Sequence, residues 1–194
     1  MANTDIPSGF KPVGHVLGMS WSGKANVYYI PSTDSTAMFK GDAVKSAGSA
    51  DSTGKYPTVA QAAAGNTIRG VIIGFGEDPN VMIKPDSPMA THRKASTAMY
   101  CLVVDDPFVI FEIQEDSDGG SIAVASVGQA FDVVVGSGST TTGLSAMELD
   151  SSTAGSTGQC KLLRRVDRED NALGNQCKWE VLIGEHEMLS DAGV

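Results

Sequence analysis

Apolar residues along this chain recur mostly at every second position, the period of a half-buried strand. The clearest case is CKWEVLIGEHE, residues 177–187, where Cys177, Trp179, Val181 and Ile183 share one face and Lys178 and Glu180 take the other. That pattern predicts a half-exposed strand. In MYCLVV, residues 99–104, both alternating sets are apolar, as in a central strand covered on both faces. The Asp105-Asp106-Pro107 break makes a turn or sharp corner, after which Val109, Phe111 and Ile113 form one face and Glu112 and Gln114 begin a polar one. Further strands are expected at 26–31, 42–47, 67–77, 130–135, 144–149 and 160–166. Within 67–77, Val71, Ile73 and Phe75 share a face while Gly70, Gly74 and Gly76 interrupt the other, which predicts a bulge or bend.

Helical periodicity is scarce. TVAQAAAGN, residues 58–66, fits a short helix with Thr58 as cap and Gly65 as stop, and GSIAVASVG, residues 120–128, fits either a helical turn or another strand. The fold class that follows is mainly β: a single β-sandwich, jelly-roll-like or barrel body with long loops. The run VVVGSGSTTTGLSAMELDSSTAGSTG, residues 133–158, reads as a strand end, a long turn over 136–143, a strand through Leu149 and an exposed loop. Residues 1–25 have no period and read as an extended N-terminal arm preceding a single β-rich domain over 26–194. The arm carries Phe10, Val13, Leu17, Met19 and Trp21, side chains in which disordered tails are poor, so it is expected to lie against something else. These five are the candidate contact residues.

Charge narrows the partners. Of 194 residues only 19% are charged, and the formal net charge is −9, which excludes a chain whose work is to hold nucleic acid through its phosphates. The positive groups around His92, Arg93 and Lys94, and around Lys161, Arg164, Arg165 and Arg168, read as solvated faces. Cys101, Cys160 and Cys177 form no C-x-x-C unit and read as buried, reduced thiols. No apolar run reaches the ~20 residues of a membrane-spanning helix, and the N-terminus has no basic region followed by an apolar stretch, so a soluble chain made in a reducing compartment is expected.

Sites for chemistry are sparse. The Gly/Ser/Thr run ends in Gly143-Leu144-Ser145 and lacks the lysine of a phosphate-binding loop. Ser145 has the first glycine of a nucleophile elbow but Met147 in place of the second. His186 lies between Glu185 and Glu187, which a strand would point away from it, and reads as a solvated strand end. Glu115, Asp116 and Asp118 make an acidic turn that lacks the spread of a calcium loop, and whether it takes a cation stays open. The expectation is a non-enzyme with no catalytic residues, no cofactor and no metal.

Taken in order, YYIPSTDSTAMFKGDAVK, IRGVIIGF, DDPFVIFEIQED, VGQAFDVVVGSGSTTTGLSAMELDSS and LLRRVDREDNALGNQCKWEVLIGEHEM resemble the virion structural proteins of tailed bacteriophages taken to be head decoration, or cement, proteins. The resemblance implies a structural protein made in the host bacterial cytoplasm and bound to the capsid exterior. There it would clamp neighbouring major capsid protein subunits, often as a homotrimer. No site residues transfer from such a family. A tail or baseplate component, or a carbohydrate-binding adhesin module of the virion, are the alternatives.

Overall fold

The computed structural model describes residues 3–80 and 90–189, and among these the chain is mainly β. Strand β1 (Lys11–His15) lies in the segment that sequence reads as aperiodic. Five strands then close a barrel: β2 (Asn26–Ile30), β3 (Ala43–Ala50), β4 (Pro57–Gln61), β5 (Gly70–Gly76) and β6 (Met99–Val104), in the order β2-β4-β3-β5-β6. Neighbours run antiparallel except β2 and β4, which meet in parallel at Tyr29 and Thr58.

The helix expected at 58–66 is instead β4. Thr58 and Val59 are buried there, and pairing with β3 on one side and β2 on the other closes the barrel. Ring closure outweighs the helical preference of the alanines at 60 and 62–64.

After the barrel come β7 (Val109–Gln114), the short pairs β8 (Ala130–Phe131) and β9 (Val133–Val134), then β10 (Glu148–Leu149), β11 (Cys160–Arg165) and β12 (Lys178–Ile183). A five-stranded antiparallel sheet has the order β1-β7-β12-β11-β8, and β9 pairs with β10 alone. Residues 120–128 hold a single 3₁₀ turn at Val124–Ser126. Of the strand expected over 144–149, the last two residues form β10 and Leu144 makes an isolated parallel bridge to Lys40.

Two cores result. Tyr28, Ile30, Val44, Phe75, Cys101 and Val103 fill the barrel. Val71 and Val104 look outward from it and join Phe111, Phe131, Leu149 and Trp179 in a second core shared with the sheet. Strand β6 is therefore only partly covered on its second face: Met99, Cys101 and Val103 fill the barrel and Val104 joins the second core, while Tyr100 and Leu102 are half-buried. The bulge in β5 falls between Ile72 and Gly74. It inverts the alternation, so Ile72 and Phe75 point into the barrel while Val71 points out, correcting the shared face expected of Val71, Ile73 and Phe75. Strand β7 departs from its pattern too. Flanked by β1 and β12, it buries Glu112 and Gln114 as well as its apolar face.

Two positively charged groups read as solvated are otherwise engaged. Arg93 is fully buried; Nε donates to Thr97 O at 2.7 Å, Nη2 to Pro31 O and Asp34 O at 2.8 and 2.7 Å, and Nη1 to Asp34 Oδ1 at 3.1 Å and to the Thr36 carbonyl. Lysine has no planar fork with which to repeat that set. Arg168 reaches Glu112 with Nη1 at 3.0 Å and Asp170 with Nε at 3.0 Å.

Candidate docking surface

The N-terminal segment is held down from its start. Asn3 donates Nδ2 to Ala172 O and Asn175 O, and Gln114 takes Ile6 N–H on its Oε1 while giving Nε2 to Thr4 O. Gly9 then crosses Gly41 at close range. A Cβ on Gly9 would sit 2.4 Å from Gly41 O, and one on Gly41 would sit 2.5 Å from Ser8 O, with φ +66° and +94° respectively. Only glycine permits both the approach and the left-handed backbone. The crossing delivers Phe10 into the shared core, 2% exposed and edge-on to Phe111 with ring centroids 5.9 Å apart.

Beyond β1 the chain turns back on itself. His15 N–H donates to Met19 O at 2.9 Å, Gly18 N–H to His15 O at 2.9 Å, and Gly14 faces Ser20 across an antiparallel bridge. Gly18 supplies the positive φ of +81° that this turn requires. Its tip presents Leu17, 76% exposed, and Met19, 61% exposed. Val16 N–H donates to Phe108 O at 3.1 Å, which sets Phe108, 49% exposed, beside the turn. His15 supports the cluster from behind, its Nε2 3.4 Å from Asp106 Oδ2 and its ring 6.2 Å from that of Phe108. Val16, Leu17, Met19 and Phe108 thus make an apolar knuckle on the sheet end.

The five candidate contact residues divide accordingly. Leu17 and Met19 come together at the knuckle; Val13 is half-buried at the register shift between Pro12 and Gly14; Phe10 lies in the core and Trp21 packs against it. Sequence reasoning missed Phe108 and Val16. The signal for Phe108 was its place directly after Pro107, where a strand has not yet begun and a large apolar side chain has no pairing partner to cover it.

The three thiols, Ser145 and His186 are all buried. Burial pushes the thiols of Cys101 and Cys160 far up and that of Cys177 up to about 11, which keeps them protonated and unreactive. Ser145 is buried with its Oγ accepting Met147 N–H at 2.9 Å. His186 is not the solvated strand end expected: the chain curls at Glu187–Leu189 and bonds to Ile68, so the ring is buried, which lowers its pKa. The acidic turn is split. Glu115 points inward and accepts Trp179 Nε1 at 2.9 Å and Ile122 N at 3.0 Å, its carboxyl pKa raised by burial, whereas Asp116 accepts Ser151 Oγ at 2.8 Å. Among the described residues no three His, Cys, Asp or Glu side chains group as metal ligands, and no helix is long and apolar enough to cross a membrane.

No family model, curated protein or solved structure matches this chain.

Proposed function

We propose that the chain is a non-enzymatic virion structural protein that binds the outer surface of a tailed-phage head and stabilises it by clamping neighbouring major capsid protein subunits, with itself as a further partner in a homotrimer. The observation that carries this reading is the apolar knuckle of Leu17, Met19, Val16 and Phe108, exposed on a body whose thiols and whose Ser145 and His186 are buried. Large apolar side chains gathered at a rigid turn are a means of docking. The ordered resemblance of five sequence blocks supplies the kind of partner. A net charge of −9 supports an exterior position, since it disfavours contact with packaged DNA.

Purified protein mixed with expanded empty heads is expected to sediment with them at a fixed ratio. Replacing Leu17→Asp and Met19→Asp together should leave the protein in the supernatant. If wild-type protein stays in the supernatant and attaches to tails instead, the tail or baseplate reading takes its place.

One cluster bears on the carbohydrate-binding alternative. Tyr29, Tyr56 and Tyr100 gather on the barrel wall, with ring centroids 5.1 Å apart for Tyr29–Tyr100 and 5.3 Å for Tyr56–Tyr100. Their rings are inclined at 47° and 75° and pack on one another, which leaves no flat row of faces for a sugar chain. Retention on a glycan array abolished by Tyr100→Ala would favour it.

A further inference from the structure

A groove opens at the opposite end of β1 from the knuckle. It encloses about 360 Å³ and is lined by Phe10, Pro12, Ile72, Ile73 and Leu144, with Lys11 and Lys40 among its walls and no acidic residue. Its shape is fixed by backbone. The Gly9–Gly41 crossing sets one wall, Lys40 N–H donates to Gly143 O at 3.0 Å, and Ser145 N–H donates to Lys40 O at 2.8 Å, which holds Leu144 over the opening, 40% exposed. Neither lysine is in an ion pair among the described residues.

We infer that this groove is a second docking site, which takes a segment of a neighbouring capsid subunit bearing a large apolar side chain next to a carboxylate. Two unpaired cations beside an apolar floor, on a chain of net charge −9, select a ligand that is apolar and anionic at once. The volume lies in the ~300–1,000 Å³ range of binding clefts and accommodates one or two side chains. Strand β1 (Lys11–His15) spans roughly 13 Å at ~3.3 Å per residue, so knuckle and groove sit at the two ends of one short strand and add their contacts on the head. The inference rests on the head-binding reading above.

The test is the double charge reversal Lys11→Glu with Lys40→Glu, measured by co-sedimentation with expanded empty heads over a salt series, with thermal melting as the check on folding. The expected result is a melting temperature lowered by no more than about 3 °C, since reversal at Lys11 sets a like charge opposite Glu112 across β1 and β7, with head affinity reduced at least ~10-fold and a flatter salt dependence than wild type. Wild-type binding with an unaffected double variant overturns the groove and leaves the head-binding reading standing. A double variant whose head affinity is intact but whose self-association in light scattering is lost makes a second copy the occupant and overturns the inference. Should the double variant misfold, Leu144→Glu, which places a like charge at the mouth from an exposed position, must reproduce the loss of affinity or the inference falls. Wild-type protein that does not bind heads removes both readings together.

Discussion

Phe10 and Leu17 are seven positions apart, on either side of a five-residue strand, and their fates are opposite: one 2% exposed in the shared core, the other 76% exposed at a turn. Their hydrophobicity does not separate them. Backbone geometry does. Ahead of β1, two glycines let the chain pass within touching distance of the 40–41 turn and drop Phe10 onto Phe111. Behind β1, the bond from His15 N–H to Met19 O folds the chain into a tight turn whose tip projects from the body, beside Phe108. Hydrophobic residues inside is a one-way rule, and a rigidly displayed apolar tip is the case that calls for an explanation.

The largest effect that sets these ends apart is expected from Phe10→Ala. Emptying that core position should cost about 3–4 kcal/mol and lower the melting temperature by roughly 10 °C in differential scanning calorimetry. A shift of only a degree or two would place Phe10 outside the cooperative core. A smaller effect is expected from Glu148→Gln, near the start of the same segment. Burial, with Asp5, Asp116 and Asp118 close by, raises the Glu148 carboxyl to about 7. Because the folded-state pKa is raised, the stabilising contribution is complete below the unfolded value near 4.5 and is lost as pH rises through about 7. The glutamine variant should therefore melt higher than wild type at pH 8, by about 1 kcal/mol after allowance for solvent screening, and match it at pH 4.5. A constant difference across that range would show that charge is not the cause. The smallest effect on stability belongs to the knuckle: Leu17→Asp with Met19→Asp should change the unfolding free energy by less than about 0.5 kcal/mol.

Much of the architecture was legible from alternation alone. The strands around Trp179, Cys101 and Phe111 fall where period two places them, and the glycines of 70–76 announced the bulge between Ile72 and Gly74. What stayed hidden depended on contacts distant in sequence. Strand β4 exists because closing the barrel needs a strand between β2 and β3, which no local signal at 58–61 reports. Strand β1 is a strand because β7 offers it an edge, although KPVGH has no period of its own. Arg93, in a run that looks like a solvated patch, is buried because five donors find carbonyls and a carboxylate that arrive from residues 31–36 and 97. Of the contact candidates, Leu17 and Met19 were legible as apolar side chains without a period; Phe108 was not, since its place beside them depends on the pairing of β1 with β7.

Closure of the barrel has a further consequence, because each of its five strands has a neighbour on both sides. The adjoining sheet ends in β1, five residues with the Gly14–Ser20 bridge folded over its outer side, and in β8, two residues met from outside by Gly155. Among the described residues no strand longer than five residues lies at the edge of a sheet, which disfavours edge-to-edge pairing of crowded copies of this chain. Whatever joins it to a neighbour must then be written in side chains, and side chains discriminate between partners where bare main chain does not.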